Sequence, residues 1–227
     1  MTTTPLQQAV RALALGTALA APFAAQAQLS LNLPVNFLQA DAVQAFSTTA
    51  LKSFKAVDIT VSPKGNAFAV PDVVGAYDLP VTSIQLQFIK VSGGSSIGSA
   101  LQFDRVDDDD VAHRLTLANF TINFNTNQVL ADATPMGGPT AAKTPIFNFN
   151  NAVPLGFKYQ FPLTITGHQV LDKLFLTPEA KTAFTNGLNL PVFTKPILDS
   201  TDFGTITIDL AVKFRSQPVS SKPYVAN

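Results

Sequence analysis

Residues 157–166 read FKYQFPLTIT. Phe157, Tyr159, Phe161, Leu163 and Ile165 are apolar, and Lys158, Gln160, Thr164 and Thr166 between them are polar. Successive side chains of a strand point to opposite faces, so this period of two predicts a strand with one face on a core and the other in water. The same period recurs along the chain. Ile206, Ile208, Leu210, Val212 and Phe214 alternate with Thr205, Thr207, Asp209, Lys213 and Arg215. Leu29, Leu31 and Leu33 alternate with Ser30 and Asn32 until Pro34 stops them, and Val57, Ile59 and Val61 run into the turn composition of residues 62–66. Ile84, Leu86 and Phe88 are spaced by Gln85 and Gln87, and the short strand Leu101, Phe103 follows a Gly/Ser stretch, 92–99, that reads as a loop. Leu115 and Leu117 hold odd positions whereas Phe120, Ile122 and Phe124 hold even ones, so the inward face changes near Ala118–Asn119, which predicts a β-bulge. No strand is apolar throughout, as the buried strands of a parallel sheet are. Some eight to eleven short amphipathic strands predict an all-β fold, an antiparallel β-sandwich or flattened barrel, with two short helices.

The helices are expected at a repeated wording. Residues 175–188 read FLTPEAKTAFTNGL: Thr177 is a natural N-cap, Pro178 suits the first helical position, Glu179 meets the helix dipole in the first turn, and Gly187 is placed to close the helix. Residues 37–47, FLQADAVQAFS, match it without gaps at Phe37/Phe175, Leu38/Leu176, Asp41/Glu179, Ala42/Ala180, Ala45/Ala183, Phe46/Phe184 and Ser47/Thr185. Leu38, Ala42, Ala45, Phe46 and Thr49 have helical spacing, which predicts the first helix here. The duplication implies two related halves, about residues 28–134 and 146–215, within one domain spanning 28–227 and joined through the Pro/Gly-rich segment 135–145.

Composition bounds the compartment and excludes several chemistries. Arg11, the apolar run 12–21 and Ala25-Gln26-Ala27 form the pattern of a secretory signal, so residues 1–27 are expected to be removed and the protein to be secreted or periplasmic. No later segment has the apolar length of a membrane helix. There is no Cys, which excludes disulfides, thiolate metal sites and a Cys nucleophile. With 15 basic and 15 acidic side chains, nothing steers the chain to nucleic acid. Eighteen Phe, three Tyr and no Trp favour a wide apolar interior, and the lack of Trp argues against the aromatic girdles of a transmembrane barrel.

A strand, then Leu176-Thr177-Pro178-Glu179-Ala180 opening a small helix, then Phe203-Gly204-Thr205 entering a long alternating strand, resembles the HtaA-type domain of secreted bacterial haem-uptake proteins, over about residues 163–212. The resemblance implies a β-rich secreted domain that holds haem through a Tyr ligand supported by a His. No motif of that family locates the pair here. Tyr159 and His168, which flank one end of the 157–166 strand, are the ligand-binding candidates among three Tyr and two His.

Other constellations have bland readings beside the sharp ones. Gly94-Ser95-Ser96-Ile97-Gly98 fits the G-x-S-x-G nucleophile elbow, but a strand rather than a helix follows it, so a hairpin loop is the simpler reading and a Ser96 hydrolase the lesser alternative. Residues 105–114, RVDDDDVAHR, read as a hairpin tip. Asp107, Asp108 and Asp110 are candidate Ca²⁺ ligands there, against a solvated tip that discourages edge pairing. His113 nearby does not make a transition-metal site without a second His or a thiolate. Tyr77 is read as a core or rim aromatic, and the Asn119-Phe120-Thr121 glycosylation pattern falls inside a strand. The functional expectation is a non-catalytic binding or cell-surface protein, with haem or another apolar molecule as ligand; the alternative is a structural or matrix protein without a small-molecule site.

Overall fold

The structure is a computed structural model and describes residues 30–87, 90–161 and 164–226. Residues 1–29, which include the expected signal segment, and Phe88 and Leu163 lie outside the described residues. In chain order the elements are β1 (Ser30–Pro34), β2 (Leu38–Phe46), α1 (Thr48–Ala56), β3 (Ile59–Gly65), β4 (Phe68–Ala69), β5 (Ala76–Pro80), β6 (Ser83–Gln87), β7 (Lys90–Val106) and β8 (Ala112–Asn123). There follow β9 (Gln128–Pro135), β10 (Ala141–Gln160), β11 (Thr164–Leu176), α2 (Pro178–Gly187), a 3₁₀ turn (Val192–Thr194), α3 (Lys195–Ser200) and β12 (Gly204–Phe214). The strands form one 12-stranded sheet in the order β1-β6-β7-β8-β9-β10-β11-β12-β2-β5-β4, with β3 also paired to β7. All the pairings are antiparallel. The sheet curls into a half-barrel whose inward positions, among them Leu115, Leu117, Ile146 and Leu171, make one apolar core. A transmembrane barrel carries its apolar band outward, the reverse of this arrangement.

The alternating run 157–166 turns out to be two arms of a hairpin. β10 ends at Gln160 and β11 begins at Thr164, with Tyr159 paired to Ile165. The alternation is therefore shared between two neighbouring strands rather than carried by one. The Gly/Ser stretch 92–99 is strand rather than loop, because β7 runs through it. Glycine is required there: a Cβ on Gly93 would come 2.4 Å from the carbonyl oxygen of Ile122 on the neighbouring strand. The expected bulge in β8 is present. Pairing with β7 slips between Ser96 and Ala100, pairing with β9 slips between Ala118 and Thr121, and Asn119 takes φ +56°. Segment 135–145 is mostly a β9–β10 hairpin, with residues 136–140 as its turn.

The first repeat is a strand, not a helix. In β2, Ala40, Ala42, Gln44 and Phe46 are buried while the residues between them are not, and the helix starts only at Thr48. The helical spacing of Leu38, Ala42, Ala45 and Phe46 coincides with strand alternation at three of its four positions. The structural correspondence therefore has a different offset. Ser47 and Thr177 are the two N-caps, each accepting from the backbone N–H three residues on, Ala50 at 3.0 Å and Ala180 at 3.2 Å. Each hydroxyl also donates to a carbonyl of another segment at 2.6 Å, Ser47 to Asp202 and Thr177 to Pro145. Ala50 and Phe54 in α1 match Ala180 and Phe184 in α2 as the buried residues.

Both helices plug the same end of the half-barrel, around β7. The Phe103 ring lies edge-on to Phe54 (5.9 Å between centroids) and to Phe184 (5.0 Å). Two residues further, Arg105 is only 6% exposed, not part of a solvated tip. Its Nε donates to the Val57 carbonyl (3.0 Å) at the end of α1, and its Nη1 to those of Leu188 (3.2 Å) and Asn189 (3.0 Å) at the end of α2. These are carbonyls that helix ends leave without partners, at the negative pole of each helix dipole.

Candidate functional site

With the helices filling one end, the sheet is left open at the other. There the interior narrows into an apolar cavity of about 50 Å³. Half-buried Ile84, Val91, Phe124, Leu155 and Leu210 contribute to its lining, and deeper in it meets Phe46, Phe103 and Phe147. Two buried amides join this apolar wall: Gln44 on β2 and Gln169 on β11. Gln169 donates to Asn151 Oδ1 (3.2 Å). Gln44 is 2% exposed, and its Nε2 has no hydrogen-bond partner among the described residues. Its presence is readable in the sequence only after 38–46 is recognised as a strand, when Ala40, Ala42, Gln44 and Phe46 fall on the inward face.

Past the mouth the inward face continues into solvent on the β10–β11 hairpin and the end of β12. The Phe157 ring lies where a side chain on Gly167 would be (3.1 Å), beside Leu210 (3.3 Å), so Phe157 shares the face of a cavity-lining residue. Tyr159 and Ile165 follow on that face by strand alternation. Phe157, Tyr159, Phe161, Val212 and Phe214 are all exposed, Phe161 at 89%. An exposed apolar row such as Phe157, Tyr159 and Ile165 is a candidate interaction surface.

His168 does not join Tyr159. Tyr159 pairs with Ile165, and His168, three residues further along an unshifted register, pairs with Gly156 and points to the opposite face. There it meets Asp209 through Nδ1 at 2.7 Å. Asp209 is directly opposite Asp41 on β2, whose carboxylate accepts from Arg215 at 2.6 Å. This row borders an outer trough of about 570 Å³ that also takes in Gln39 and Lys158. Nearby Asp78, on β5, has a buried Oδ1 without a partner among the described residues, and Arg215 Nε is likewise unpaired. Burial pushes the Asp78 carboxyl up to about 7, the Asp41 charge adding to the rise and Arg215 opposing it.

At the β7–β8 tip the four aspartates divide. Asp107 Oδ1 accepts from the Asp109 and Val111 amides (3.1 and 2.9 Å), and its Oδ2 contacts His113 Nε2 (2.8 Å) and accepts from Asn189 (3.1 Å). These bonds, that of His113 above all, hold its carboxyl below the usual range. Asp107 is thus the organiser of the turn, while Asp108 and Asp110 are exposed and Asp110 takes φ +60°. Among the described residues no group of three His, Asp or Glu stands together as a metal-holding cluster. Ser96 is buried and donates to the Leu79 carbonyl (3.0 Å) within β7, with no helix after it. Tyr77 donates to the Val61 carbonyl (3.0 Å), and burial raises its phenol. The Asn119 side chain is buried in the bulge. Its Oδ1 accepts from the Gly98 and Tyr224 amides, and its Nδ2 donates to Asp132 and to the Tyr224 carbonyl. It ties the C-terminal segment to the outside of the sheet, as do Asn36 at Val219 and Asn66 at Ser220.

The chain is similar in structure to the C-terminal domain of HtaA from Corynebacterium glutamicum. The TM-score is 0.47 at 14% identity, covering 77% of this chain and 98% of that one. A domain-swapped dimer variant of the same domain gives 0.41 at 14% identity, over 72% and 90%. No protein-family model matches the chain, and no curated protein matches it by sequence. Among the described residues no helix is long and apolar enough to cross a membrane.

Proposed function

We propose that the chain is a secreted or periplasmic binding domain, without catalysis of its own, that takes an apolar ligand at the open end of its half-barrel. The observation that carries this is the continuity of the inward apolar wall with the exposed face of Phe157, Tyr159 and Ile165. A sealed core needs no such extension, and leaving it in water is costly at about 25 cal/mol per Å² of apolar area. Haem is the sharper form of this reading, in keeping with the HtaA resemblance. A phenol among apolar and aromatic neighbours suits a planar macrocycle, with Tyr159 as iron ligand; His168, on the other face, does not fit as its support.

Adding haem to the purified protein should give a Soret band that Tyr159→Phe removes. Unchanged spectra at micromolar haem would eliminate haem and leave the wider apolar class. That class fails in turn if no apolar ligand raises the melting temperature, the outcome that favours a structural or matrix role.

A further inference from the structure

Gln44 lines an almost wholly apolar cavity, yet its amide N–H groups have no acceptor among the described residues. A buried donor left unpaired costs about 1–3 kcal/mol, and buried polar groups are nearly always satisfied by protein, water or ligand. Apolar Leu or Met at this position would avoid that cost. On the strand register Gln44 stands opposite Ile206, and Leu210 at the mouth stands opposite Ala40, so the amide lies four residues inside the rim. At the rise of a β-strand this is a depth of about 13 Å. The cavity, about 50 Å³, is far smaller than the roughly 150 Å³ that holds a benzene ring, so what reaches Gln44 is slender. Among the described residues no Lys, Arg or His lines it. A carboxylate there would be a buried charge without compensation, so the group that meets Gln44 is neutral.

Resting on the proposed binding at this mouth, we infer that the ligand is a neutral aliphatic carbonyl compound, a ketone, aldehyde or ester, whose carbonyl oxygen accepts from Gln44 Nε2 while its chain runs out along the apolar wall. Gln44 is then a specificity residue. The pairing would satisfy the orphaned donor and reward the carbonyl over a plain hydrocarbon of the same length.

The test uses heptane and the seven-carbon methyl ketone as probes, titrated into ¹⁵N-labelled protein and followed by proton–nitrogen correlation spectra. The expected result is a shift of the Gln44 side-chain resonances with the ketone only, and about five- to tenfold tighter binding of the ketone than of heptane, the worth of one net hydrogen bond. Gln44→Leu, with Gln44→Met as a second variant should the first fold poorly, should erase this preference while still binding heptane. Equal affinities in the wild type, as when buried water already satisfies the amide, would overturn the assignment of Gln44 and leave apolar binding standing. So would a preference that survives in both variants. If neither probe perturbs Ile84, Val91 or Gly94, binding at the mouth itself is wrong.

Discussion

Replacing Arg105 by Met should unfold this protein more readily than any exposed charge change. The guanidinium makes three hydrogen bonds to carbonyls at the ends of α1 and α2, at 3.0, 3.2 and 3.0 Å, and is 6% exposed. Hydrogen bonds to a charged group contribute about 1.5–3 kcal/mol each in mutational series, and stranding the buried partner adds its desolvation cost. Methionine restores most of the packing but none of the donors, so a net loss of about 4 kcal/mol is expected once partial relaxation is allowed. For a domain of this size each kcal/mol moves the melting temperature by about 2–4 °C, giving a drop on the order of 10 °C. Arg105→Lys, a point donor that cannot serve both helix ends at once, should fall between. Arg114, paired with Asp104 at 2.7 Å but with its side chain 37% exposed, is the control: Arg114→Met should cost at most about 1 kcal/mol. Thermal melts followed by circular dichroism, checked by urea titration, measure all three. An Arg105→Met protein that melts within about 2 °C of wild type, or no lower than Arg114→Met, would refute the clamp.

Asp78 has a carboxyl raised above its unfolded value, so between about pH 4 and 7 the folded state binds more protons than the unfolded one, and the stability linked to this group falls as pH rises through that window. Asp78→Asn should therefore gain a few degrees over wild type near pH 8 and nothing near pH 4, as read from melting curves across pH; a gain at both extremes would contradict the linkage. Phe103→Ala, which empties the space between Phe54 and Phe184, should cost about 3–5 kcal/mol in urea unfolding. Asn119→Ala removes the anchor of Tyr224 and should open the C-terminal segment to limited proteolysis before the sheet itself unfolds. Ser96→Ala should leave any background ester hydrolysis unchanged and cost about 1 kcal/mol of stability, because its hydroxyl serves the Leu79 carbonyl.

The parts of the fold legible in the sequence are those where one local rule acts alone. Alternation marks the sheet, the odd-to-even change at Asn119 marks the bulge, and Thr177-Pro178-Glu179 marks a helix start. Elsewhere two rules overlap. Residues 38–46 satisfy both a helical and a strand spacing, and only the burial of Gln44, set by the partner strands β12 and β5, decides between them. The Gly/Ser run of β7 looks like a loop because the reason for its glycines is the carbonyl of Ile122, twenty-nine positions away from Gly93. Arg105 reads as part of a charged tip because its partners come from the ends of two helices distant in sequence. Of the candidate site, the alternation of Phe157, Tyr159 and Ile165 is legible in the sequence, whereas the placing of Tyr159 and His168 on opposite faces follows from the β10–β11 pairing.

The closing contact of the half-barrel, β12 against β2, joins opposite ends of the chain, so the two halves cannot be independent folding units. Each half would present long unpaired strand edges, of β9 or β10, that the other normally covers. Gly137, at the exposed β9–β10 turn with open space around it, is the natural place to cut. Two fragments made there should each be insoluble or unstructured alone yet reassemble when produced together, which would make this domain a split reporter whose halves are held by strand pairing across the cut.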